Sequence, residues 1–259
     1  MNTPRINRHV SAAGVSAAAL FGALVIGAPS GHALALSPDG DSVAVAKAPP
    51  IIPLPAAEGF AKRVDNPYAP FLPEMRWVYG GGTPQERERI VVKVLKRTKL
   101  IEGITATVVR DTVTVNGELI EDTFDWYAQD RRGRVWYLGE ATKEYENGQV
   151  VSTEGSWEAG VDGAKAGIIM FAHPEVGEPY RQEFYAGHAE DQGRFLALNT
   201  RVATQAGVFS QVRMTEDTTP LDPSIAEIKF YAPGVGVVLE FDLAPEAGRT
   251  ELLRFHEGR

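Results

Sequence analysis

The sequence predicts an all-β fold, an antiparallel meander forming a half-barrel, a barrel or a sandwich. Three observations lead there. Apolar and polar residues alternate with a period of two through most of the chain beyond Asn66, the pattern of half-buried strands. Turn signals recur at short intervals: Asn116-Gly117 and Asn147-Gly148 suit two-residue type I′ hairpins, and Gly133 suits a longer loop. No segment holds a helical period, and "GSWEAGVDGAKAG" carries too many glycines for a helix.

The chain opens with a basic start, Arg5 and Arg8, and no nearby acid. An apolar run, Ala17 to Ala28, follows and is too short to span a bilayer comfortably. Ala33-Leu34-Ala35 then offers the small-x-small site a signal peptidase accepts, so residues 1–35 read as a secretory signal peptide. A retained N-terminal anchor is the alternative. Leu36 to Pro73 is dense in proline, including "APPIIPLP". Residues 36–65 therefore read as an extended, disordered linker before a single domain over residues 66–259.

Within that domain the first strand is expected at Arg76–Tyr79, followed by a turn at Gly80 to Gly82. Next comes a strand with Ile90, Val92 and Val94 on one face. "TATVVRDTVTV" is rich in β-branched residues. The three turn signals then make a meander from Ile104 to Glu154. Further strands are expected at Ile168–Phe171, Tyr180–Tyr185, Arg194–Leu198, Val208–Met214, Glu227–Tyr231, Val235–Phe241 and Thr250–Phe255.

A formal charge of -8, two units more negative once Arg5 and Arg8 are cleaved, argues against nucleic acid and anionic membrane surfaces as partners. The absence of cysteine excludes disulfides, iron–sulfur clusters and thiolate metal sites. After signal cleavage no integral membrane segment is expected.

The richest stretch is Asp122 to Val151. If Asn116-Gly117 forms a tight turn, Val113 faces Ile120, Asp111 faces Asp122 and Val109 faces Phe124. Around Gly133, Trp126 then lies near Tyr137 and Tyr127 near Trp136. These four aromatics are the candidate ligand-binding residues, although cross-strand pairing alone accounts for them. Asp111 opposite Asp122 is a like-charge pair that leaves three readings open: a bulge changes the register, the pair sits at a solvated edge, or it holds a weakly bound calcium.

Paired acids among Asp125, Asp130, Glu140 and Glu144, beside Trp126 or Trp136, are the candidates for a carbohydrate-active hydrolase. His188, with Glu190, Asp191, Glu183 or His173, is a weaker metal candidate, since no metal-type spacing supports it. Ser156 lacks the strand–turn–helix setting of a nucleophile and reads as structural.

Two stretches, Asp125 to Met170 and the closing "KFYAPGVGVVLE" from Lys229 to Glu240, resemble a family of secreted bacterial β-rich proteins of uncharacterised activity. The ending is also similar to the half-barrels of periplasmic lipoprotein carriers, whose concave sheet holds acyl chains. The resemblance implies a β-rich fold and brings no catalytic residues. The expected function is a secreted or cell-envelope, non-catalytic binding protein without a cofactor. Its partner would be an apolar or amphipathic small molecule or an envelope component.

Export with cleavage after Ala35 predicts an N-terminus at Leu36, checked by intact mass of the exported protein. Full-length chain found only in a membrane fraction would instead show a retained anchor.

Overall fold

A computed structural model describes residues 48–83, 85–244 and 248–258. The signal segment and the first part of the expected linker lie outside these residues. Apart from one 3-10 turn, Ala57–Gly59, the regular structure of the remainder is all strand. The elements run β1 (Arg76–Gly82), β2 (Arg87–Ile101), β3 (Ile104–Val115), β4 (Glu118–Gln129), β5 (Val135–Ala141), β6 (Glu144–Glu146), β7 (Gln149–Ser152) and β8 (Trp157–Glu158). They continue with β9 (Lys165–Met170), β10 (Pro179–Arg181), β11 (Glu183–Phe184), β12 (Gln192–Thr204), β13 (Gly207–Thr218), β14 (Ala226–Ala232), β15 (Gly236–Ala244) and β16 (Arg249–His256). No helix among the described residues is long and apolar enough to cross a membrane.

All sixteen strands belong to one antiparallel sheet. Its path is β10-β12-β13-β14-β15-β16-β1-β2-β3-β4-β5-β9-β11, with β6, β7 and β8 appended beside β4 and β5. The two ends of the path, β10 and β11, are consecutive pieces of one segment on either side of Gln182. They pair with β12 and β9 and not with each other, so the sheet curls without closing into a barrel. The curl also shows in side chains that reach beyond their neighbours. Tyr79 on β1 donates its hydroxyl to the Val237 carbonyl on β15 (3.0 Å), and the Trp77 indole donates to the Val235 carbonyl (2.7 Å).

The hairpin turns form where the dipeptides place them. Asn116 and Gly117 have φ of 52° and 90°, and Asn147 and Gly148 have 52° and 74°, the left-handed pair that a type I′ turn demands. On β2 the alternation also holds, with Ile90, Val92 and Val94 buried. Gly80 to Gly82 differ from expectation: they extend β1 instead of forming a turn. A Cβ at Gly81 would lie 2.6 Å from the Thr250 hydroxyl, so only a residue without one lets β1 pass this close to its neighbours.

The proline-rich segment is a strap from Ala48 onward, not a tether. Ile52, Leu54, Ala57 and Phe60 pack against the core. The Arg181 guanidinium donates to the Pro49 carbonyl (2.9 Å), the Ala61 amide to the Gln129 carbonyl (2.8 Å) and the Arg131 amide to the Gly59 carbonyl (2.8 Å). Phe60 meets the ring of Trp136 edge-on at 6.4 Å. The next residues enter the core: Val64, Ala69, Phe71 and Met75 are buried, and Phe71 stacks on Tyr127 at 4.5 Å. Proline limits hydrogen bonding, but the apolar residues between the prolines supply the adhesion.

The strap therefore contributes to the stability of the domain. Phe60→Ala is expected to lower the unfolding free energy by about 2 kcal/mol, read from urea unfolding curves. An unchanged midpoint would mean that the strap only rests on the surface.

Candidate functional site

Along β4 the inward positions are Glu121, Thr123, Asp125 and Tyr127, while Ile120, Phe124 and Trp126 take the other face. The register differs from the tight-turn expectation. Val115 faces Glu118 and Thr114 faces Leu119, but a bulge between Val113 and Thr114 slips the ladder by one residue. Asp111 then pairs with Thr123, and Asp122 pairs with Thr112. A one-residue slip exchanges faces, so Asp111 and Asp122 do not meet. Asp122 instead accepts two hydrogen bonds from Arg110, at 2.7 and 2.9 Å, and Asp111 joins the inward carboxylates. The expected calcium pair is not assembled.

A second irregularity, between Asp125 and Tyr127, resets β4 against β5. Tyr127 faces Tyr137, and Ala128 faces Trp136. All four aromatics are core residues. Tyr127 stacks between Phe71 and Tyr137 (4.9 Å), Trp136 lies under Phe60, and Trp126 is covered by the Lys99 ammonium 3.2 Å above its ring. None is presented as an open platform for a ligand.

The interior is polar to a degree the hydrophobic pattern does not suggest. Thr123 donates to Glu121 (2.9 Å) and accepts from Thr142 (2.9 Å), whose hydroxyl also lies 3.2 Å from Glu140. Tyr137 donates to Asp125 (2.9 Å), which lies opposite Glu140. Burial dominates the ionisation of these groups. It raises Glu121 to about 8 and Asp125 to about 7, and pushes Asp111 and Glu140 well above the ordinary carboxylate range.

A second group lies on β13, β14 and β15. Asp217 faces Glu227 and Glu227 faces Asp242, so three carboxylates stand in one cross-strand row; in the next row Lys229 lies between Thr215 and Glu240. The Lys229 ammonium is 3.0 Å from Glu227, 3.4 Å from Asp217 and 3.7 Å from Glu240. Burial alone would lower the Lys229 pKa, but Glu227, Glu240 and Asp217 outweigh it and hold it well above its ordinary value. Glu227 is nonetheless raised to about 7, burial outweighing the ammonium.

A third feature is on the outside. A cleft of about 490 Å³ separates the strap from the β4–β5 turn, lined by Ile52, Pro53, Pro55, Gly59, Asp130, Arg131, Arg132 and Arg134. Asp130 is fully engaged. It accepts from the Arg134 guanidinium (2.6 Å), the Trp136 indole (3.0 Å) and the amides of Arg132 and Arg134. Burial opposes its charge, but the hydrogen bonds from Trp136 and Arg134 prevail and hold its pKa below the ordinary value.

The hydrolase candidates are thus divided by the sheet. Asp130 lines the cleft but is held ionised and cannot supply a proton. Asp125 and Glu140, which do retain protons near neutrality, are 2% and 4% exposed. Glu144 faces Glu121 across the ladder. Ser156 accepts the Thr142 amide (2.9 Å), a structural role. His188 stacks on Tyr185 at 4.4 Å, and the metal-suited group among the described residues is Glu227, Glu240 and Asp242, which does not include it.

These pKa shifts fix the sign of the pH dependence. Glu121, Asp125 and Glu227 each hold their proton more tightly when folded, so the associated stability is fully present below the unfolded value near 4. It is lost as pH rises through about 7 to 8. In metal-free buffer the melting temperature should fall from pH 5 to pH 8.5. Glu121→Gln, which keeps an acceptor for Thr123, should stabilise by on the order of 1 kcal/mol at pH 8 and change little at pH 5. Melting curves across this range check it; a midpoint that rises with pH would contradict the shifts.

No family model matches this chain, and no curated protein does. Among solved structures it is similar to a candidate exported protein with a YmcC-like fold from Bacteroides fragilis. Identity is 13% and the TM-score 0.43, over 73% of this chain and 99% of that one. It is also similar to a candidate lipoprotein from Parabacteroides distasonis, with 11% identity and a TM-score of 0.39, over 73% and 98% of the two chains. Neither is described as a lipoprotein carrier, and likenesses of this strength carry nothing over to the site.

Proposed function

We propose that the protein is an extracytoplasmic, non-catalytic binding module whose ligand is a small amphipathic anion held in the cleft between strap and β4–β5 turn. The observation that carries this reading is the lining of that cleft. Arg131 and Arg132 are exposed, and neither forms an ion pair among the described residues, whereas Arg134 is neutralised by Asp130. On a chain of formal charge -8 these two guanidiniums are a local reversal of sign. A concave site focuses such a field on an incoming anion. Ile52, Pro53 and Pro55 supply an apolar wall for a short hydrocarbon part, and Arg is suited to carboxylate or phosphate. The hydrolase reading gains no support, because the proton-holding acids and the cleft lie on opposite faces of the sheet.

Titration with octanoate, decanoate and decyl phosphate, followed by calorimetry, tests the reading. Binding should weaken with salt, and the Arg131→Ala/Arg132→Ala double variant should lose on the order of tenfold or more in affinity. Absence of binding by all three, or binding indifferent to the double variant, would reject it.

A further inference from the structure

The formal charge of -8 does not describe the surface of this protein. Among the described residues eleven acids are buried, against one base, Lys229. Burial also keeps protons on several of these acids near neutrality, Glu121 and Asp125 among them. The bases of the same strands point the other way. Through β16, β1, β2 and β3 the register sets His256, Arg76, Lys93 and Arg110 in one cross-strand row, and all four are exposed. Neighbouring strands lie about 4.8 Å apart, so the row covers about 14 Å. Arg89, four residues before Lys93, and Arg254, two before His256, share its face and are also exposed.

Like charges directly opposed across a ladder are unfavourable, and here Arg76 opposes Lys93, which opposes Arg110. Asp122 neutralises Arg110, and Glu74 engages Lys96. Arg76, Arg89, Lys93 and Arg254 form no ion pair among the described residues. We infer that this outer face is a docking surface for an acidic polysaccharide, a linear chain bearing carboxylate or sulfate groups. Charge complementarity selects a polyanion, and the planar guanidinium fork suits such oxygens. Shape selects a chain. The sheet curls around its core, so this face is convex and has no walls to enclose a small anion. A flat bilayer would touch it only along a line. The outward side chains between the cations, Val78, Val91 and Thr112, are buried or half-buried and offer nothing to insert into lipid. A polymer can instead follow the row across the strands. The signal peptide expected at residues 1–35 puts polysaccharide, and not nucleic acid, within reach. The surface is separate from the cleft, whose arginines belong to the β4–β5 turn.

The test presents the domain with its strap to immobilised heparin and polygalacturonate, with uncharged dextran as control, and reads binding by biolayer interferometry. At least one acidic polymer should bind at low salt, dextran should not, and binding should fall steeply as salt is added. The Arg76→Gln/Lys93→Gln double variant should lose on the order of tenfold or more in affinity. Its melting temperature should match or exceed the parent's, because an exposed repulsion has been removed, so the loss cannot be assigned to unfolding. The Arg131→Ala/Arg132→Ala variant should bind the polymer as the parent does, which separates this surface from the cleft. No binding of either acidic polymer would overturn the inference, as would binding that the Arg76→Gln/Lys93→Gln variant leaves unchanged. Stronger capture by phosphatidylglycerol vesicles or by duplex DNA than by either polymer would overturn it equally.

Discussion

Lys229 is the one basic side chain among the buried described residues, and the inward face of the sheet is organised around the charge it supplies. Removing an ammonium from water costs several kcal/mol, and in this interior the cost is offset only because carboxylates approach from β13, β14 and β15 together. The converse also holds. Without Lys229 the row Asp217–Glu227–Asp242 would have no positive neighbour among the contacts described. The registers of β13 on β14 and β14 on β15 are thereby fixed by charge as well as by packing, since a slip of one residue would turn these side chains to the other face. On β4 and β5, Glu121, Asp125 and Glu140 have no ion-pair cation among the described contacts and rely on threonine and tyrosine hydroxyls and on retained protons.

The strands themselves were legible because backbone pairing demands a period of two whatever the side chains are. The hairpins were legible because type I′ turns require left-handed residues, which Asn-Gly supplies. What could not be read was which face turns inward. On β14, Ile228 and Phe230 alternate with Glu227, Lys229 and Tyr231, and the hydrophobic pattern favours the first set as core. The structure buries the second set and leaves Ile228 and Phe230 half-buried outside, where Phe230 packs edge-on against Phe241 at 6.0 Å. The signal was present as charged residues at matching intervals on β13, β14 and β15. It becomes meaningful only once the three strands are known to be adjacent.

Register failed for a related reason. A bulge inserts one unpaired residue, and nothing in "TVTVNGELIED" marks where it falls. The bulge between Val113 and Thr114 separates Asp111 from Asp122, and so removes the like-charge opposition that a regular ladder would have imposed. The same slip carries Asp111 into the interior, where burial raises its pKa instead. The strap was misread because proline density describes the backbone alone. Its adhesion comes from Phe60 and the aliphatic residues, whose burial depends on Trp136 being available on the sheet's outer face.

That outer face ties the cleft to the strap through one carboxylate. Asp130 ends the β4 side of the turn, accepts the Trp136 indole that Phe60 covers, and neutralises Arg134. Its acceptor capacity is taken up by these partners and by two backbone amides, so it has none left for Arg131 or Arg132. The two guanidiniums remain exposed because the acid beside them is already engaged in holding the turn and the strap together. A positive cleft thus arises on an acidic protein from local hydrogen-bond saturation, with no change in overall charge. Carboxylates are turned inward along β4 while arginines remain at its outer end, so the two signs of charge are sorted to opposite faces of one sheet.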